Sequence, residues 1–305
     1  HKYQREIPHG FLSALFIDFD EIVKKYGNDY AIALITAVYN HHLREDTFSD
    51  DEFYDAVKFD LRPQFTKYTS QYGNISDCSV MATNIRHVCI RNDGIGRYIS
   101  EELWCKYVVI KGLLNKMDYY ASACNDQYVE IPADHNGKYL SDYILAKFGN
   151  NLREVQKYMF DNKDKSLVVT ASTGIGKTEG ALLWLDSSKG FYTLPLKVSI
   201  NAIYKRILEE YSIGEEKYPP EKVGLLHSDA LSYLLDNKED DRDDDSFLFT
   251  KYRKAKMFSH PITLCTADQI FRFVFKHIGD EIIPATLKYS KVIIDEIQMY
   301  SPQTV

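Results

Sequence analysis

Two patterns of apolar spacing divide the chain. Leu12, Leu15, Phe16, Phe19, Ile22 and Val23 recur at three- and four-residue steps, which predicts a helix with one apolar stripe. A second helix is expected from about Asp29 to Leu43, with Leu34 and Val38 on its stripe, and a third from about Glu101 to Cys124. Residues 68–80 between them are polar and rich in Ser, Asn and Gly, and read as a loop. The texture changes after Cys124. Residues 131–138 contain turn-formers and read as the start of an interdomain linker. Beyond residue 150 short apolar runs alternate with helical stretches. The candidate strands are Ser166–Thr170, Phe191–Leu194, Val223–Leu226, Ile262–Thr266 and Val292–Asp295. That alternation predicts a parallel sheet with helices on its faces.

Composition narrows the class. The 305 residues carry a net charge of −7, so overall charge does not hold this chain to nucleic acid. The run from Asp236 to Asp245 sets seven acids against Lys238 and Arg242 and reads as a solvated loop; the rest of the chain is nearly balanced, leaving room for a local basic groove. Lys251, Arg253, Lys254 and Lys256 follow it, either contacting phosphate or forming a solvated helix face. Five cysteines without a Cys-x-x-Cys pair argue against a zinc ribbon or a disulfide framework and for a reducing, cytoplasmic setting. No apolar run approaches the length that spans a bilayer, so no membrane partner is expected.

The sharpest chemical signal follows the first candidate strand. Ala171-Ser172-Thr173-Gly174-Ile175-Gly176-Lys177-Thr178 is a P-loop pattern with alanine at its first glycine position, and a helix is expected directly after it. Gly174 and Gly176 allow the tight turn that points backbone N–H groups inward, with Ala171 and Thr173 in the same cradle. Lys177 can neutralise β- and γ-phosphates, and Thr178 offers a hydroxyl to Mg²⁺. The last candidate strand ends in Asp295-Glu296. Asp295 suits a role in holding Mg²⁺, and Glu296 in orienting or deprotonating the attacking water.

The tetrad Asp295-Glu296-Ile297-Gln298 resembles motif II of superfamily 2 helicases. Leu194-Pro195-Leu196-Lys197 resembles motif Ia, and Thr266-Ala267-Asp268-Gln269 resembles motif Ib. Gln156 stands upstream of the P-loop, where such helicases often place an adenine-reading glutamine; plain helix surface is the equal alternative there. The helical half contributes histidines near apolar faces: His9 just before the first long helix, and His41 and His42 three and four residues past Val38. Asp118 follows Ile110, Leu114 and Met117 on the third helix. Imidazoles and a carboxylate placed inward need partners or a metal.

This half resembles an HD-type phosphohydrolase domain. Read together, the two halves resemble the CRISPR-associated nuclease–helicase family of type I systems, in which an HD nuclease precedes a superfamily 2 helicase. His9 with Ser13-Ala14, the pair His41-His42, Asp118 with Ala121-Ser122, the stretch Leu194 to Ile203 and the run Asp295 to Pro302 carry the likeness. It implies an all-α HD-type domain over 1–130, a linker over 131–150 and an α/β RecA-like ATPase domain over 151–305. It also implies metal ligands His9, His41, His42 and Asp118 for a divalent transition metal such as Mn²⁺, Ni²⁺ or Fe²⁺, and ATP with Mg²⁺ at the P-loop. The partners implied are single-stranded DNA and an RNA-guided surveillance complex. The family's His-Asp dyad has no counterpart before His9, and the family's later helicase motifs and second RecA-like domain have none after Asp295. The chain is therefore expected to represent a piece of the family's architecture, incomplete at both ends and impaired by itself in cutting and unwinding. Two other readings fit the residues: an RNA-directed superfamily 2 ATPase whose helical half is a docking domain without metal, and a binding module that uses nucleotide as a switch.

Overall fold

The structure is a computed structural model that describes residues 7–42, 49–64, 67, 70–71, 85–90, 100–122, 129–149, 151–237, 245–275 and 279–301. The acidic run lies largely outside these residues, as does most of the expected loop at 68–80. The chain forms two compact units. One comprises 1–118 with 277–285, the other 119–276 with 286–305. No helix among the described residues is long and apolar enough to cross a membrane.

The first unit is helical. Its opening stripe is broken in two: a helix His9–Ser13 runs through a 3-10 turn, and a new helix Phe19–Tyr26 starts at Asp18. Asp18 interrupts the stripe because its carboxylate accepts the Glu21 backbone N–H at 3.0 Å and so caps the second segment. The helix Asn28–Tyr39 stops at Asn40, earlier than its apolar pattern suggests, and leaves His41 and His42 just beyond its end. Phe11, Leu15, Ile35 and Tyr39 pack in one core with Phe53, Val57 and Ile85. Thr36 ties in the segment 85–90, since its hydroxyl donates to the Ile32 carbonyl and accepts the Ile90 N–H.

The long helix Glu101–Ser122 ends within two residues of its expected limit. It buries Lys111 completely, and Lys111 Nζ meets Glu281 at 2.8 Å, itself 4% exposed. Gly112, beside it, allows this approach, since a Cβ there would collide with the Glu281 carbonyl oxygen.

The second unit is α/β. Its main sheet has four parallel strands: β1 Gly190–Thr193, β4 Val223–Leu226, β5 Ile262–Cys265 and β6 Lys291–Ile294, in the order β4-β5-β1-β6. A small antiparallel pair, β2 Ser212–Ile213 and β3 Glu216–Lys217, stands apart from it. Helices Lys177–Leu185 and Lys197–Glu210 contribute Leu182, Leu183, Ile200, Ile203 and Ile207 to a core that includes Tyr192, Leu225 and Leu264. The helix Leu140–Phe148 falls in the stretch assigned to a linker, and its Leu140, Tyr143 and Ile144 belong to this core.

Ser166–Thr170, expected as a strand, forms no ladder. Leu167 and Val169 turn partly inward while Val168 is fully exposed. The approach to the segment is pinned by the Trp184 indole, which donates to the Lys165 carbonyl. A pocket of about 220 Å³ lies between the segment and β6 in place of backbone pairing.

Buried ionic and titratable groups dominate the expected response to substitution. Lys111→Met strands the Glu281 carboxylate in the interior and should cost about 3–5 kcal/mol. Pairing it with Glu281→Leu should recover most of that loss, as read by urea unfolding. His260 is 1% exposed, between the carbonyls of Glu221 and Lys251. Burial outweighs those acceptors and pushes its imidazole down to about 4. An unfolded histidine takes up its proton near pH 6.5 while the folded one resists, so this contribution is full above pH 6.5 and is lost as pH falls toward 4. The urea midpoint should drop over that window, and His260→Asn should flatten the drop.

Candidate functional site

The second unit concentrates its polar chemistry where the parallel strands end. Helix Lys177–Leu185 begins at Gly176, whose φ of 93° lies in the left-handed region, as does the 80° of Gly174. Both conformations come freely to glycine and let the loop close over its own backbone. Lys177 Nζ reaches back to the Ala171 carbonyl at 2.8 Å, so the P-loop residues Ala171 to Thr178 form one closed turn at the helix start. Gln156 supports that turn from beneath. It is 2% exposed, accepts the Arg153 N–H at 2.9 Å, and lies so close to Gly176 that a Cβ there would overlap its amide. Arg153 donates in turn to the Gly174 carbonyl. Gln156 is thus packed against the loop and is not open helix surface.

Asp295 follows β6 directly, and its N–H donates to Thr193 at the end of β1. Its Oδ1 accepts the Glu296 N–H at 2.9 Å, and its Oδ2 accepts the Tyr192 hydroxyl at 2.6 Å. Glu296 takes a left-handed φ of 54°, which turns the chain sharply into a 3-10 segment, and its carboxylate is held by the Gln298 amide. Lys177, Tyr192 and Asp295 line the same pocket. The cradle and the acid therefore share one cavity. Tyr192 and Arg153 escaped the sequence reading. Tyr192 could be placed only by knowing which strand lies beside β1, and Arg153 carries no motif of its own.

The first unit gathers its histidines. Ligand nitrogens of His9, His41 and His42 all lie within 4.8 Å of one another. The Nε2 atoms of His41 and His42 point at the Nε2 of His9, at 3.3 Å and 2.8 Å. His41 Nδ1 sits 2.6 Å from the Val38 carbonyl. That contact fixes the proton on Nδ1 and leaves Nε2 as a lone-pair donor, the arrangement that orients metal-binding imidazoles. Gly10 makes room for the ring, because a Cβ there would lie 2.9 Å from His41 Cε1. Three convergent imidazole nitrogens fit a divalent transition cation by donor type. Asp118, half-buried on the long helix, is not in this group. His227 bridges Asn201 and the Asp229 N–H, and His135 meets Glu216.

Lys251 of the basic cluster is buried against the Tyr204 hydroxyl. Only part of that cluster can therefore face a ligand.

No family model matches the chain. Over 208 residues, 68% of its length, it is 27% identical to the CRISPR-associated nuclease/helicase Cas3 of Methanothermobacter thermautotrophicus strain Delta H. Over 175 residues, 54% of its length, it is 34% identical to the putative CRISPR-associated nuclease/helicase Cas3 of Methanocaldococcus jannaschii. The fold is similar over 99% of the chain to the crystal structure of T. fusca Cas3, with a TM-score of 0.59 at 15% identity. Sequence and fold are thus both similar to Cas3 proteins. A second T. fusca structure, Cas3-AMPPNP, gives a TM-score of 0.55 at 18% identity. The chain spans about a quarter of the length of these curated relatives, 24% and 22%, and 37% of the T. fusca chain.

The histidine cluster yields a direct expectation. His9→Ala should weaken Ni²⁺ or Mn²⁺ binding, measured by calorimetry, at least ~10-fold, and Gly10→Ala should do so by crowding the His41 ring. Unchanged affinity in both variants would reject the three imidazoles as a donor set.

Proposed function

We propose that this chain carries the nuclease and motor sites of an ATP-dependent single-stranded DNA nuclease–helicase of CRISPR interference, which cuts and translocates DNA at RNA-guided targets. One observation carries the reading: a convergent three-imidazole cluster and a P-loop pocket shared with a strand-end acid stand on one Cas3-like chain. The helical cluster speaks against the docking-domain alternative, which gives those Nε2 atoms no reason to converge.

In the helical unit, His9, His41 and His42 would hold a divalent transition metal such as Mn²⁺, Ni²⁺ or Fe²⁺, with Asp118 joining only by a shift of its helix or side chain. Such an ion supplies Lewis-acid stabilisation of the charge on a scissile phosphate. The Val38 carbonyl keeps the His41 tautomer correct for this. In the α/β unit, the backbone from Ala171 to Thr178 would cradle the phosphates of ATP, with Thr173, Gly174 and Gly176 turning N–H groups inward. Lys177 would leave the Ala171 carbonyl for the β- and γ-phosphates, and Gln156 would read adenine from its place beneath the loop. Mg²⁺ supplies charge neutralisation between those phosphates. Thr178 and Asp295 would present oxygen donors to it, while Glu296 would orient the attacking water and accept its proton. A surveillance complex guided by RNA would deliver the single-stranded DNA.

Lys177→Ala should abolish binding of a fluorescent ATP analogue while leaving metal affinity at the histidines unchanged. A parallel collapse of metal affinity would refute the separation into two sites. Manganese-dependent cutting of single-stranded DNA, lost in His42→Ala and retained in Lys177→Ala, is the expected assignment of the nuclease; cutting that survives His42→Ala would overturn it.

A further inference from the structure

Tyr192 lines the nucleotide pocket and belongs to neither the P-loop nor the acid motif. Tyr192 stands on β1, paired in register with Ile293 of β6, and is 1% exposed. Its hydroxyl donates to Asp295 Oδ2 at 2.6 Å. The other Asp295 oxygen is already engaged by the Glu296 N–H. An interior phenol thus holds the carboxylate that the nucleotide reading assigns to the cation.

We propose that Tyr192 is a positioning residue of the nucleotide site: its hydroxyl holds the Asp295 carboxylate in one orientation, so that Mg²⁺–nucleotide meets it already turned. The inference rests on the reading of this pocket as an ATP site. Its physical basis is the asymmetry of an interior donor. A hydrogen bond from a hydroxyl to a carboxylate is short and charge-assisted, stronger than a neutral pair. Tyr192 has no access to water as a substitute partner. Without that donor, Asp295 Oδ2 lies beside an apolar ring and the Glu296 N–H alone holds the carboxylate. The loss falls on preorganisation for the cation. Direct phosphate contacts come from the loop backbone and Lys177, which Tyr192 leaves untouched.

The test compares binding of a fluorescent ATP analogue to the whole chain in Mg²⁺ and in EDTA. In Tyr192→Phe, the tightening that Mg²⁺ gives the wild-type chain should shrink at least fivefold, while affinity in EDTA stays within twofold. Tyr192→Met, a second apolar variant, should show the same split. Asp295→Asn should reduce the tightening in both backgrounds, and by less in Tyr192→Phe, where the carboxylate has already lost its positioning contact. Full tightening in Tyr192→Phe would overturn the proposal. So would an equal loss in Mg²⁺ and EDTA in both variants, which marks Tyr192 as packing only. A wild-type chain that binds no nucleotide in either condition would overturn the ATP-site reading itself and this inference with it, a result distinguishable from failure of the variants alone.

Discussion

The parallel register between β1 and β6 is the constraint on which the α/β site depends. Tyr192 pairs with Ile293 and Thr193 with Ile294, so the first residue after β6 falls beside the end of β1. That residue is Asp295, and its N–H is taken by the Thr193 carbonyl. A slip of one residue would turn the Tyr192 ring to the opposite face of the sheet and separate its hydroxyl from the carboxylate. The strand ends also face the start of helix Lys177–Leu185, which is why a lysine more than a hundred positions earlier lines the same pocket. Open parallel sheets place ligands at this edge for the same reason: strands end and helices begin there.

In the helical unit the corresponding constraint is where a helix stops. Asn28–Tyr39 ends at Asn40, with Asn40 still donating to the Thr36 carbonyl. Had the helix continued, residues 41 and 42 would have pointed about 100° apart around it. The turn instead lets both rings face His9, with centroids 5.2 and 4.5 Å from it. Gly10 and the Val38 carbonyl then fix one of the two rings. The cluster thus arises from the end of helical periodicity, not from the periodicity itself.

That distinction explains what the sequence could reveal. Four of the five candidate strands are present within a residue of their expected limits, because buried parallel strands are nearly continuous apolar runs. The P-loop was legible because its chemistry depends on consecutive residues: two glycines, a lysine and a threonine must stand at fixed spacing. Ser166–Thr170 has the same apolar look as the true strands, yet ladder formation depends on a neighbour's edge, which composition does not encode. The first helix was read as one piece because Leu15, Phe19 and Ile22 keep their spacing across Asp18, whose capping role needs the fold around it. Lys111 and Glu281 were opaque for another reason: 170 residues separate them, and a buried lysine carries no sequence signature. Convergence of His9 with His41 and His42 was inferred from inward placement, and the structure adds the Nε2 geometry.

The two candidate sites also differ in donor chemistry, and that difference has a consequence for a protein with both. The histidine cluster offers neutral nitrogen donors, which suit first-row transition cations. Thr178 and Asp295 offer only oxygen, which suits the small, hard Mg²⁺ with its retained waters. Mg²⁺ would be a poor fit among the imidazoles, so the histidine cluster would discriminate against it. The transition cation would find no nitrogen at the sheet edge among the groups the nucleotide reading assigns to the ion. The Tyr192 phenol fits this division, because it presents an oxygen that stays protonated and so orients the carboxylate without competing as a ligand.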